Sequence, residues 1–97
     1  MAVVVVHQGP TLTEESYNAA VLKVTGGKAK LDSPTDWPVE GLVFHTAGQG
    51  ASGFRIVDVW ESEDAFQRFG ETLGPVLGEL GITDQPEVYE ASTFVSR

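Results

Sequence analysis

The chain has 97 residues, 14 of them acidic and 6 basic, and it contains no cysteine. A formal net charge of -8 disfavours nucleic acid and anionic membrane surfaces as partners, because both are polyanions. Without cysteine the sequence cannot form a disulfide, a thiolate nucleophile or a zinc–thiolate site. The length and the 41% hydrophobic content predict one globular domain over residues 1–97 with a single core.

The first residues are apolar, but the apolar run is short. It ends at His7, well before the ~20 residues that a membrane-spanning helix needs, and no basic region precedes it as in a secretory signal. We therefore expect a cytoplasmic protein without a membrane segment.

The first two predicted elements are a strand and a helix. Residues 2–6 are apolar and mostly β-branched, which predicts a strand buried on both faces. Thr11 lies three residues before Glu14, a capping-box spacing, and apolar residues then recur at helical intervals up to Gly26. This pattern predicts a first helix with Tyr17 on its buried stripe.

A long loop is predicted next, over residues 28–40. This stretch has no regular period, and Pro34 and Pro38 flank Trp37. Long loops in compact domains often bind ligands, so Trp37 is a candidate substrate contact. A tryptophan that only closes the open end of the core explains the same pattern.

Two segments rich in β-forming residues follow, at 41–47 and 54–61. A glycine-rich connection over residues 48–53 separates them, so they are predicted to form a hairpin of the second and third strands. The glycines leave the length of the turn, and hence the register of the hairpin, open.

The second helix and the fourth strand complete the chain. Ser62 is a predicted N-cap, and an apolar stripe that includes Phe66 continues to a stop at Gly81. Pro75 follows Gly74 inside this pattern, which predicts a kink or a split of the helix. Residues 88–95 are rich in β-forming residues and are predicted as the last strand.

The order strand-helix-strand-strand-helix-strand predicts an α+β fold of ferredoxin-like topology. In that fold a four-stranded antiparallel sheet carries both helices on one face. The predicted third strand is apolar on both faces, since Ile56 and Trp60 point one way while Val57 and Val59 point the other. Two helices cover one face only, so we expect a homodimer that packs sheet against sheet.

Three stretches of the sequence resemble a known superfamily. They are Leu-Val-Phe-His at 42–45, Arg-Ile-Val-Asp-Val-Trp-Glu-Ser-Glu-Asp-Ala-Phe at 55–66, and Leu-Gly-Pro-Val-Leu at 73–77. The chain is similar to the dimeric α+β barrel superfamily, especially to small proteins like the antibiotic biosynthesis monooxygenases. The resemblance implies two ferredoxin-like protomers that pair their sheets, with a pocket in each protomer between its sheet and its helices.

The resemblance also implies a range of activities. Similar proteins include monooxygenases that oxidise polycyclic phenols without metal or flavin, haem-degrading enzymes, cyclases and decarboxylases. The haem-degrading members carry an asparagine on the first strand and a histidine on the second helix, and this sequence has neither. His45 and Trp60 correspond, by residue type and element, to the histidine and tryptophan of the phenol-oxidising members.

The candidate catalytic residues are therefore His45, Asp58 and Trp60. His45 lies in an apolar strand, where its imidazole is either a base near neutral pH or a hydrogen-bonded core or interface residue. Asp58 lies between two valines, and a buried carboxylate needs a partner. That partner is His45, Arg55 or a group of the second subunit. Trp60 either contacts substrate or fills the core.

The register of the hairpin decides whether two of these side chains meet. If Ala47 pairs with Phe54, His45 is the diagonal neighbour of Asp58. A shift of one residue places His45 opposite Arg55 instead.

The other candidates are predicted to bind substrate or to lie at the edge of the pocket. Substrate-binding candidates are Tyr17, Trp37, Arg55, Phe66 and Tyr89, whereas His7 is predicted to be a loop or dimer-edge residue. The two histidines lack metal-ligand spacing and no phosphate or dinucleotide motif is present, so neither metal nor cofactor is predicted.

Together, these residues and the resemblance favour a cofactor-independent monooxygenase or a related proton-abstracting enzyme. Its substrate would be a small aromatic or polyketide-like molecule bound between sheet and helices. The alternative is a non-catalytic dimeric module of the same fold that binds a small ligand or serves as an accessory subunit.

Overall fold

A computed structural model describes residues 1–27 and 40–95. The elements follow in the order β1 (Val3–Gln8), α1 (Glu14–Thr25), β2 (Leu42–Gly50), β3 (Gly53–Trp60), α2 (Glu63–Glu79) and β4 (Glu87–Glu90). The strands form one antiparallel sheet in the order β2-β3-β1-β4. The predicted ferredoxin-like α+β fold is confirmed, and Trp37 lies outside the described residues.

The main core lies between the sheet and the two helices. Its buried side chains come from three strands of the sheet and from both helices: Val3, Val5, Val21, Leu42, Trp60, Ala65 and Phe69. A smaller cluster of Leu12, Phe54 and Ile82 closes one end. Both helices therefore cover the same face of the sheet, the face to which Asp58 and Trp60 of β3 point.

The turn between β2 and β3 is shorter than the connection over residues 48–53 that was predicted from the glycines. Gly50 pairs with Gly53 across a loop of only Ala51 and Ser52. Gly53 has a φ of 128°, a value that L side chains rarely adopt, so a glycine suits the end of this short turn.

The resulting register differs from both registers predicted for the hairpin. His45 pairs directly with Asp58, and Ala47 pairs with Ile56. This pairing lies two residues from the diagonal register, so His45 and Asp58 stay on the same face of the sheet. Burial of the Asp58 carboxylate favours a register that gives it a polar neighbour.

Helix α1 begins two residues later than the Thr11 cap predicted. Its N-cap is Thr13, which accepts a hydrogen bond from the Ser16 amide, while the Ser16 hydroxyl accepts one from the Thr13 amide. Thr11 is engaged elsewhere, because its hydroxyl and its backbone N–H donate to the carboxylate of Asp84. A capping box is therefore present as predicted, but its N-cap is Thr13 and not Thr11.

Helix α2 begins at the predicted Ser62 cap and continues through Pro75 to Glu79, so it is not split. Glu71 and Pro75 are both exposed, so water can hydrate the carbonyl that proline leaves without a helical donor. Gly81, with a φ of 73°, follows the helix as predicted. In the described part of the chain, neither helix is long and apolar enough to cross a membrane.

Strand β4 is shorter than the predicted strand over residues 88–95. It pairs with β1 from Glu87 to Glu90, and one further bond joins the Ala91 amide to the Ala2 carbonyl. Residues 92–95 then leave the regular ladder, although their composition favours a strand.

Candidate active site

A cavity of about 370 Å³ lies between the helix-covered face of the sheet and the two helices. Its volume is typical of small-molecule sites. Most of its lining is apolar, and the polar side chains at its surface are His7, Tyr17, His45, Asp58, Asp84 and Gln85. Such a cavity suits a small apolar molecule that carries a few polar groups.

Three of these polar side chains form a continuous line of hydrogen bonds, which we call the triad. Nδ1 of His45 lies 2.6 Å from Oδ1 of Asp58, and the hydroxyl of Tyr17 lies 2.6 Å from Nε2 of His45. Because a carboxylate only accepts, the hydrogen between His45 and Asp58 belongs to Nδ1. A neutral His45 then accepts at Nε2, and Tyr17 donates to it.

Each member of the triad comes from a different element. The β2–β3 register sets His45 directly opposite Asp58. Tyr17 lies in the first turn of α1, and its ring packs 5.2 Å from the ring of Phe54 and 5.9 Å from that of His45, measured between centroids. The fold therefore fixes all three groups on regular structure, which limits their freedom to separate.

The surroundings of the triad favour a neutral Tyr17. Asp58 is 5% exposed, and it is paired with His45 as a buried carboxylate must be. Burial, and secondly the negative charge of Asp58, raise the pKa of Tyr17 to about 12. Tyr17 therefore keeps its proton at neutral pH and can donate it to His45.

The structure brings together His45 and Asp58 of the candidate catalytic residues, but not Trp60. The indole is 0% exposed, packs with its centroid 4.8 Å from that of Phe69, and is not part of the cavity lining. Its Nε1–H has no hydrogen-bond acceptor among the described residues. A catalytic role for Trp60 stays a prediction.

The substrate-binding candidates divide between the two faces of the sheet. Tyr17 and Phe66 line the cavity. Arg55 and Tyr89 lie on the opposite face, both exposed, because they alternate with the residues that face the helices. Arg55 is therefore not the partner of Asp58, and the contacts of Arg55 and Tyr89 with substrate stay predictions.

Two polar residues of the cavity were missed. His7 is not a loop residue, because β1 extends to Gln8 and the alternation after Val3 and Val5 turns His7 towards the helices. The alternation was the signal that could have found it. Asp84 lies in the irregular segment between α2 and β4, where no periodic pattern identifies the orientation of a side chain.

The hydrogen bonding of the triad is suited to proton transfer. Within residues 1–27 and 40–95, no group of three or more histidine, aspartate or glutamate side chains is arranged to hold a metal ion. A hydrogen-bonded tyrosine, histidine and aspartate beside an apolar cavity can take a proton from a bound hydroxyl group.

Comparison with solved structures finds proteins of the same fold. SnoaB, a cofactor-independent oxygenase from Streptomyces nogalater, is 19% identical over 99% of this chain and 98% of its own, with a TM-score of 0.59. A variant of SnoaB gives a TM-score of 0.58. A protein from Shewanella loihica PV-4 described as a "putative monooxygenase" is 18% identical over 96% of each chain, with a TM-score of 0.55.

No protein-family model and no curated sequence matches the chain. The likeness to solved structures therefore establishes the fold, at an identity too low to carry over a reaction. The resemblance to small antibiotic biosynthesis monooxygenase-like proteins is confirmed at that level.

Proposed function

We propose that this protein is a cofactor-independent oxygenase that removes a proton from a hydroxyl group of a small aromatic substrate. The observation that carries the proposal is the unbroken hydrogen bonding of Tyr17, His45 and Asp58 at the wall of an apolar cavity. The fold it shares with SnoaB, itself a cofactor-independent oxygenase, supports the reaction class.

The proton moves in one concerted step. The substrate hydroxyl donates to the oxygen of Tyr17 while the Tyr17 proton passes to Nε2 of His45. Because the pKa of Tyr17 is about 12, a free tyrosinate is disfavoured, so Tyr17 must receive a proton as it gives one up. The imidazolium that forms is stabilised by the carboxylate of Asp58, 2.6 Å away.

The substrate anion then reacts with dioxygen, which is the second reactant. Loss of the proton makes the aromatic ring electron-rich, and the anion transfers an electron to dioxygen. For a substrate with a ring methylene, one oxygen atom enters as a carbonyl and the other leaves as water with the two methylene hydrogens. The proton held by His45 returns through Tyr17 to the phenolate oxygen, which restores both the hydroxyl group and the neutral imidazole. The substrate supplies all four electrons, so the overall reaction needs no other reductant.

The proposal is tested by oxygen uptake with a hydroxyanthrone, a flat phenol with a ring methylene, in buffer with a chelator and no flavin. Substitutions Tyr17→Phe, His45→Ala and Asp58→Asn should each lower turnover, by about 10²- to 10⁴-fold where general-base catalysis is lost. Glu71→Gln is the control, since Glu71 is an exposed carboxylate on α2 that is not part of the cavity lining.

Several results would count against the proposal. If Tyr17→Phe retains full turnover, Tyr17 only fills the position of the substrate hydroxyl and the relay is wrong. Because His45→Ala also leaves the buried Asp58 unpaired, its turnover is measured on folded protein below its melting temperature, and full turnover there would show that the histidine is structural. Binding of the hydroxyanthrone without oxygen uptake would favour the alternative of a non-catalytic binding module.

We further propose that the active form is a homodimer through the face of the sheet opposite α1 and α2. Phe44 and Tyr89, each 48% exposed, lie on that face together with the half-buried Val4 and Val57, whereas Val59 is 7% exposed. Exposed apolar side chains of this kind are more stable when covered. Two-fold pairing of identical sheets covers them without a second protein species.

A further inference from the structure

The cavity lining includes a second histidine, His7, which is not part of the triad. His7 lies on β1 opposite Ile56, and His45 lies on β2 opposite Asp58. With β3 between these strands, two strand spacings and a two-residue offset separate the two histidine Cα atoms by roughly 12 Å. Both side chains line the same cavity.

The hydrogen bonding of His7 fixes which nitrogen is available to a ligand. Nε2 of His7 lies 2.9 Å from the backbone carbonyl oxygen of Asp84. A carbonyl only accepts, so Nε2 carries the hydrogen, and in the neutral ring Nδ1 is an acceptor. Among the described residues, no hydrogen bond to Nδ1 is present.

The partner of His7 is itself held firmly. The carboxylate of Asp84 accepts from the Thr11 amide at 2.9 Å and from the Thr11 hydroxyl. Gly9 lies directly against this carboxylate, and a Cβ at position 9 would overlap it. The Asp84 carbonyl is therefore set in place before any ligand binds, and with it the orientation of the imidazole.

We propose that His7 is a specificity-determining residue whose Nδ1 accepts a hydrogen bond from a second hydroxyl group of the substrate. The inference rests on the proposed function, which assigns the first hydroxyl to Tyr17. Tyr17 and His7 then each accept a hydrogen bond from the bound molecule, and most of the cavity lining is apolar. The substrate class is a flat aromatic molecule with a hydroxyl group at each end.

Calorimetric binding of matched probes tests the inference. The first pair is 2,6-dihydroxynaphthalene and 2-naphthol, and the longer pair is 2,6-dihydroxyanthraquinone and 2-hydroxyanthraquinone. The unmodified protein should bind the diol of at least one pair about fivefold more tightly than its mono-ol, the effect of one additional hydrogen bond. His7→Leu should remove that preference, lowering affinity for the diol more than affinity for the mono-ol.

His7→Gln is the conservative control, because its amide N–H can donate to the Asp84 carbonyl while its oxygen accepts from the ligand. It should restore part of the preference, whereas a merely structural His7 would show no such rescue at equal melting temperature. The inference is overturned if the unmodified protein prefers neither diol, or if His7→Leu keeps the preference.

Tyr17→Phe separates this inference from the proposed function. It should weaken binding of mono-ols and diols alike and leave the diol preference intact. If Tyr17→Phe changes neither affinity while His7→Leu still removes the preference, the assignment of His7 stands and that of the triad fails. If no probe binds, both fail.

Discussion

At the scale of the residue, Tyr17 has a more specific place in the site than the sequence predicted. The periodicity of α1 predicted it as a buried aromatic that could line a pocket. The structure adds that its hydroxyl is bonded to His45, so it is the member of the triad through which a substrate would exchange a proton. Helical periodicity identifies the face on which a side chain lies, but it carries no information on its polar partner in another element.

The raised pKa of Tyr17 gives a prediction for alkaline pH. An absorbance titration near the tyrosinate band should show a group that ionises at about pH 12, and Tyr17→Phe should remove it. The pKa of Tyr17 in the folded protein lies above the ordinary value of about 10. The neutral hydroxyl therefore contributes its full stabilisation of the folded state below pH 10, and this contribution is lost as pH rises towards 12. The unmodified protein should therefore lose more stability than Tyr17→Phe over that interval. An equal loss in both proteins would contradict the burial of this hydroxyl.

At the scale of the element, the β2–β3 hairpin shows what could and could not be predicted. Its two strands follow from composition, and the need of Asp58 for a partner follows from its position between valines. The register does not follow, because Gly48, Gly50 and Gly53 allow several turn lengths. The pairing of His45 with Asp58 was therefore one of several open arrangements until the two-residue turn fixed it.

The cap of α1 provides a test at the same scale. Thr13→Ala should destabilise the protein by about 1 kcal/mol, the usual cost of losing an N-cap, measured by chemical denaturation. Because Tyr17 lies one turn from this cap, fraying should also lower the alkaline midpoint of its titration. Ser62→Ala removes the equivalent cap of α2 and should cost a similar amount without moving that midpoint. A shift of the midpoint in both variants would mean that general loosening, rather than the α1 cap, sets the environment of Tyr17.

At the scale of the whole molecule, the sequence predicted both the ferredoxin-like topology and an apolar second face of the sheet. The topology is confirmed. The homodimer stays a prediction, and it can be tested with Phe44, whose side chain is 48% exposed on the face opposite α1 and α2. Light scattering should give twice the 10.4 kDa chain mass for the unmodified protein and the single mass for Phe44→Asp. The dimer is expected to dissociate because Phe44→Asp would bury an unpaired carboxylate in the interface.

Leu22→Asp is the control for that measurement, because it places the same charge on a side chain that is 45% exposed on α1. It should leave the dimer intact. A monodisperse monomer in the unmodified protein at micromolar concentration would contradict the dimer. Dissociation in both variants would indicate an effect of added charge rather than of the sheet face.

The three residues of the triad lie in three separate elements, so the triad forms late in folding. The hydrogen bonds of His45 reach 28 residues back along the chain to Tyr17 and 13 residues forward to Asp58. Contacts of such separation form only when α1 has docked on a paired hairpin, because loop closure must precede them. A nascent chain or a partly unfolded one therefore contains all three side chains but not the hydrogen bonds between them. The triad is therefore complete only when the whole domain has folded.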